Sequence, residues 1–200
     1  FKGLNEGLKI AKKKGNFDLF IIGNNDLLFP LNFEEKILKN KKQFLKYPVI
    51  SPGIYTFDGK PQNPHVVSHI STIRELIYNL YYSNYFISIL IKYFANLTSS
   101  FTRRTDEIDN FETKGKIWQG YGACYILTKK FFKEIGDELW SPSFICFEEF
   151  FLSKQLEDKG YKKYYIPELK ITHMLHSSFK KVSNKLKWKY AKQSFKIYRK

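Results

Sequence analysis

Four residues of this chain combine chemical capacity with a place where an apolar segment ends. Asp26 follows the run Leu19-Phe20-Ile21-Ile22 and the polar Gly23-Asn24-Asn25. Ligands of open α/β sheets collect just past the carboxyl ends of strands. A carboxylate there, flanked by amides, can take a hard divalent cation that also holds a diphosphate. The same tripeptide also suits a plain turn. Glu148 and Glu149 open a helical segment among Phe144, Phe147, Phe150 and Phe151. One of them could take a proton from a hydroxyl, although carboxylates also favour a helix start on electrostatic grounds alone. His173 ends the strand-like Leu169-Lys170-Ile171-Thr172, with His176 three residues on. Gly120, Gly122 and Ala123, after Trp118, are small enough to admit a substrate or another backbone. A carboxylate at a strand tip, an acidic pair opening a helix and a strand ending in His are the parts of a metal-dependent transfer site.

The flanking pattern says what must position them. Residues 3–14 read as an amphipathic helix with Leu4, Leu8 and Ala11 on one side, stopped by Gly15. Residues 18–23 read as a short buried strand of a parallel sheet. A helix over 33–45 and a strand over 48–56 follow, closed by the turn Asp58-Gly59-Lys60-Pro61. This alternation is the rhythm of an α/β sheet. The stretch 62–115 interrupts it. Its first part is turn-rich, with His65 and His69. Residues 76–97 are then apolar for about the length of a bilayer crossing. Asn79, Ser83, Asn84, Ser88, Lys92 and Asn96 break that run, and Tyr stands where Leu would be expected. It reads as an aromatic helix packed on the domain or lying at a membrane surface, and 98–116 as a loop. The core pattern resumes over 117–127. A short helix over 128–136, capped by Thr128, is followed by a helix over 146–159 ended by Gly160. Strands are expected over 161–166 and 169–173. A basic amphipathic helix is expected over 178–200, with Trp188, Ala191, Phe195 and Tyr198 at helical spacing.

Of 200 residues, 43% are hydrophobic and 18% aromatic, which suits one folded domain rather than a disordered chain. Thirty-four Lys and Arg against 19 Asp and Glu give a net charge of +15. Such a balance fits an anionic partner: nucleic acid, an acidic membrane surface or a phosphorylated substrate. A general enrichment in Lys, Asn, Ile, Phe and Tyr accounts for it equally well. Only Cys124 and Cys146 are present, in apolar context and without metal spacing. A reduced cytoplasmic setting is expected. No secretory signal opens the chain. It starts without Met inside a helical pattern, as a fragment would.

From the start of the chain to Ser177, the order of these pieces resembles the inverting, family-2 type of nucleotide-sugar glycosyltransferase, in particular rhamnosyltransferase-like members. The resemblance implies an α/β fold of GT-A type, a Rossmann-like mixed sheet flanked by helices, here partial because the opening nucleotide-binding strands are missing. Residues 1–177 would be the catalytic domain, with 62–115 inserted. Asp26 stands at the family's metal-binding motif, whose first Asp is replaced by Asn24. Asp26 and His173 would hold Mg2+ or Mn2+, with His176 as an alternative. Asn24, Asn25 and Asn5 would lie near the nucleotide-diphosphate sugar. Trp118, Gly120, Gly122 and Ala123 would line the substrate. Glu149 would be the base and Glu148 would orient acceptor or donor. The implied partners are the donor, a surface glycan or glycolipid acceptor and the anionic inner face of the cell membrane, with no nucleic acid. Two rival readings remain: a basic, aromatic-rich nucleic-acid-binding module, whose rings would stack on bases, and an inactive membrane-surface scaffold.

Overall fold

A computed structural model describes residues 1–62, 71–97, 111–174 and 182–200. His65, His69, His176 and most of the expected loop 98–116 lie outside the described residues. The described chain is a mixed sheet flanked by helices. Its strands are β1 (Leu19–Gly23), β2 (Leu27–Leu28), β3 (Val49–Thr56), β4 (Gly115–Ile117), β5 (Cys124–Thr128) and β6 (Lys163–His173). They are hydrogen-bonded in the order β1-β5-β3-β6-β2, with β4 also on β6. Among these strands only β3 and β6 run parallel. The other pairs are antiparallel.

Alternation of side chains across the pleat makes two cores, one on each face. Val49, Tyr125 and Leu127 point to one side. There they meet Leu8 of α1 (Lys2–Lys14), Phe131 of α6 (Lys129–Glu134) and Leu152 and Leu156 of α7 (Glu148–Glu157). Ile50, Ile126, Ile166 and Ile171 point to the other, with Phe33 of α2 (Phe33–Lys39) and Phe44 of α3 (Lys41–Lys46). A third group of helices packs outside these layers: α4 (Thr72–Ser83), α5 (Tyr85–Leu97) and α8 (Asn184–Tyr198).

Four local expectations change. β1 is a sheet edge paired antiparallel with β5, not a buried parallel strand, and Ile21 is 45% exposed. The helix expected over 33–45 is parted at Asn40, whose Nδ2 donates to Lys36 O at 3.0 Å, a side-chain bond that competes with the helix ladder. The aromatic stretch is parted at Asn84, whose Oδ1 accepts from Phe86 N at 2.8 Å and so starts α5. Among the described residues no helix is long and apolar enough to cross a membrane. The two strands expected over 161–173 are one strand with a bulge. Pro52 pairs with Ile166, but Gly53 pairs with Lys170. Gly53 is required there, since a Cβ would lie 2.7 Å from Pro167 O.

Thr128 precedes α6 as expected, but its hydroxyl donates to Tyr47 O at 2.9 Å instead of capping the helix. The basic helix α8 is also present, capped by Ser183, whose Oγ accepts from Leu186 N. Its apolar stripe faces the protein. Phe195 stacks on Tyr82 at 4.7 Å, Tyr198 meets Phe150, and Trp188 Nε1 donates to Tyr81 O at 3.2 Å.

Lys163, fully buried at the start of β6, is the costliest residue of the core. Its Nζ donates to Ser153 Oγ at 2.6 Å and to Trp118 O at 3.2 Å, tying α7 to the segment after β4. Burial pushes its ammonium down from 10.5 to about 7, against the opposing pull of the Glu149 and Glu157 carboxylates. Between these two values the unfolded chain binds the proton and the folded chain does not, so this group makes stability rise with pH. A tenfold loss of proton affinity on folding corresponds to about 1.4 kcal/mol. Denaturant titrations from pH 7 to 9 should therefore show stability rising more steeply in the parent than in Lys163→Met, and parallel profiles would contradict the assignment.

Candidate functional site

The end of β1 and the end of β6 meet although β5 and β3 lie between them in the sheet. Gly23 allows this. A Cβ there would lie 2.5 Å from Ala123 O and 2.8 Å from Leu27 Cδ1. Asn24 N donates to Ala123 O at 2.9 Å, and the chain turns at once into β2, where Leu27 pairs with His173. Met174 N donates to Asp26 O at 3.0 Å. Backbone pairing thus fixes Asp26 beside His173.

The side chains close on one another. Asp26 Oδ1 lies 3.3 Å from His173 Nε2, with the two side chains 15% and 7% exposed. Asn24 Nδ2 lies 3.3 Å from the same nitrogen. On the other side of the ring, His173 Nδ1 lies 3.1 Å from Gln62 Oε1. Gln62 is held by its own backbone, which donates to Ile54 O, and its amide hydrogen-bonds the Tyr121 phenol. An amide oxygen can only accept, so Nδ1 donates to Gln62 and the ring turns Nε2 toward Asp26 and Asn24. Metal-binding histidines are commonly oriented in this way, by a partner on the far nitrogen. Two ligands at right angles on one small cation stand about 3 Å apart, given bonds of about 2.1 Å. The Asp26–His173 spacing fits that requirement. Among the described residues no group of three or more His, Cys, Asp or Glu converges.

Glu149 approaches from α7. Its carboxylate packs on Gly122, where a Cβ would collide with Oε1. Gly120 is small for a different reason, since a Cβ would strike the Ser51 side chain of β3. Between the two glycines stands Tyr121, whose ring centroid is 5.9 Å from that of His173. Its phenol is pushed up by burial, then by the Glu149 carboxylate and more weakly by Asp26, while the Gln62 hydrogen bond pulls it down. Tyr121 thus senses both carboxylates. Glu148 turns elsewhere, and its Oε1 accepts from the backbone nitrogen of Phe1.

The other expected site residues divide. Asn24 and Asn25 are exposed at the tip, and a cavity lined by Gly23, Asn24, Leu27 and Phe33 opens beside them. Trp118 and Ala123 are buried at 2% and 4% exposure, so they support the wall rather than line it. Asn5 is also buried. Its Nδ2 donates to Leu139 O at 2.8 Å and its Oδ1 accepts from Leu139 N at 2.9 Å, so its amide anchors α1.

Gln62 and Tyr121 were not among the expected site residues. Neither has a sequence signal beyond Tyr121 lying between two glycines. A further feature absent from the pattern is the entry to α7. Cys146 and Phe147 both adopt positive φ, 72° and 62°, a conformation non-glycine residues rarely hold. Burial and both glutamates push the Cys146 thiol up.

No protein-family model and no curated protein matches this chain.

Gly122→Ala tests the contact that seats Glu149. The clash is with the Glu149 side chain, which must swing aside, so the fold should lose about 1–3 kcal/mol. A crystal structure of the variant should show the Glu149 carboxylate displaced while residues 120–123 keep their path. An unmoved Glu149 would refute the contact.

Proposed function

We propose that this chain carries the catalytic residues of an inverting glycosyltransferase of GT-A type, moving a hexosyl unit from a nucleotide-diphosphate sugar to a glycan or glycolipid hydroxyl. The reading rests on one arrangement: Asp26 and His173 pair beside Tyr121, and Glu149 packs on the adjoining Gly122. A carboxylate–imidazole pair and a separate carboxylate are what a direct displacement at an anomeric carbon needs. Glu149 accepts the proton of the acceptor hydroxyl as its oxygen bonds to that carbon. The bond from the carbon to the diphosphate oxygen breaks on the opposite face, and the nucleoside diphosphate leaves with the electron pair. Mg2+ or Mn2+ bound by Asp26 and His173 would supply charge neutralisation at the departing diphosphate. Gln62 accepts from Nδ1 and so orients Nε2 toward Asp26, and Gly122 leaves room for the carboxylate of Glu149. Asn24 and the cavity beside it lie where the donor would enter. In this reading the enzyme works on the cytoplasmic side, peripheral to the membrane.

Two outcomes are expected. Titration with Mn2+, followed by electron paramagnetic resonance, should give a single site that Asp26→Ala or His173→Ala removes. Gln62→Ala should weaken it about tenfold to a hundredfold through loss of ring orientation. An Mn2+ affinity indifferent to all three would end the metal assignment.

A thermal-shift screen of nucleoside diphosphates and their sugars, with Mn2+ present, should identify a stabilising donor. With that donor, Glu149→Gln should cut transfer by roughly a hundredfold or more while leaving donor stabilisation intact. Failure of every nucleotide to stabilise the parent would overturn the proposal, and full turnover in Glu149→Gln would remove its base.

A further inference from the structure

The outer helices α4 and α5 each use one side for packing and leave a second apolar side open. On α4, Tyr78 and Tyr82 face Phe195 of α8. Ile73, Leu76, Ile77 and Leu80 recur at i, i+3, i+4 and i+7 and are exposed. On α5, Ser88 is buried, while Phe86, Ile89, Leu90 and Tyr93 form a second exposed stripe at the same spacing. Helices of a folded domain normally bury such a stripe. Apolar surface gathered on adjacent helices marks an interaction site.

Charge decides what covers it. α8 lies against this hairpin, with Lys192 Nζ donating to Ser83 O at 2.8 Å and Trp188 against Tyr85. The exposed side of α8 carries Lys185, Lys189 and Lys196. The only acidic residue within α4, α5 and α8 is Glu75, and Arg199 pairs with it at 3.3 Å. A second copy seated here would bring like charges together in a chain of net charge +15. An anionic lipid surface offers the complement: acyl chains for the stripes and phosphates for the lysines. Tyr81, Tyr85 and Trp188, apolar rings with polar tips, are grouped where the three helices meet, and such side chains favour the headgroup level.

We propose that the α4–α5 hairpin and the basic edge of α8 form one docking surface for an anionic bilayer, with the hairpin stripes entering the acyl boundary and the α8 lysines meeting headgroup phosphates. The proposal assigns the membrane contact to the hairpin rather than to the apolar side of α8. It is independent of the chemistry at Asp26 and Glu149, and its test reads binding alone.

The experiment is co-sedimentation of the full chain with phosphatidylcholine vesicles, neutral or with about 30 mol% phosphatidylglycerol. Anionic vesicles should bind about tenfold more tightly than neutral ones and release the protein as salt rises. Combining Leu76→Ser, Leu80→Ser, Phe86→Ser and Ile89→Ser should weaken binding about tenfold or more. Combining Lys185→Ser, Lys189→Ser and Lys196→Ser should erase the preference for anionic lipid. All seven positions are exposed, and circular dichroism verifies that the variants remain folded. Vesicle binding unaffected by the apolar substitutions overturns the proposal. So does a concentration-dependent dimer that those substitutions abolish, in a chain that ignores vesicles. Binding to single-stranded nucleic acid but not to vesicles overturns it as well.

Discussion

The parallel pairing of β3 with β6 is the constraint on which the rest of the structure depends. β6 is the longest strand, and it borders β3 on one side and both β4 and β2 on the other. Its first half brings Lys163 beneath α7, and its last residue is His173. Remove this pairing and neither the acidic helix nor the carboxylate at Asp26 has a fixed neighbour. The burial of Val49, Ile50, Ile54, Ile166, Leu169 and Ile171 at 1% exposure or less is what makes the pair rigid. Full burial of each aliphatic side chain contributes roughly 1.5–3 kcal/mol.

The two carboxylates of the site are positioned by different means. Asp26 is set by backbone pairing, through β2 and the Met174 amide. Glu149 is set by packing, through Gly122 beneath its carboxylate and the left-handed residues before its helix. Such backbone conformations cost of order 1–3 kcal/mol each and persist only where surroundings over-determine them. Here the surroundings are aromatic. The Phe147 ring meets Phe150 at 4.7 Å, Tyr82 at 5.9 Å and Phe195 at 5.9 Å. Rings from α4, α7 and α8 therefore hold the start of the acidic helix. The outer helices are part of the scaffold of the site, even though none of them reaches Asp26.

Much of this was legible in the sequence, because side-chain periodicity survives folding. The helix over 3–14, the strand before Asp26, the strand over 48–56 and the mixed α/β character follow from apolar spacing alone. The nearness of Asp26 and His173 was legible in outcome but not in route. β1 and β6 are separated by two other strands, and the two-residue β2 carries the chain across to pair with β6. So short a strand has no period to read. The breaks at Asn40 and Asn84 were hidden because each depends on one amide bonding to nearby backbone. Gln62 and Tyr121 were hidden for a stronger reason: their placement comes from tertiary contacts to His173 and Gly122's neighbours, which leave no trace in local composition. The apolar side of α8 was legible as a stripe, but a stripe does not say whether it faces a lipid or its own domain.

The bulge over residues 167–169 divides β6 into two frames. Before it, Tyr164 and Ile166 face the core of Ile50 and Ile126, and after it Leu169 and Ile171 do, while Glu168 and Lys170 are exposed. Side chains alternate strictly along a strand, so parity fixes which face a residue shows. Across the bulge β3 advances by one residue while β6 moves from Ile166 to Lys170. Losing a single residue there would invert the parity of the second frame alone. His173 would exchange faces with Thr172, while Lys163 and the first frame kept theirs. The histidine is thus separable from the core that supports it: a change of one residue in length, outside every helix, would turn His173 away from Asp26 without dismantling the first half of the strand.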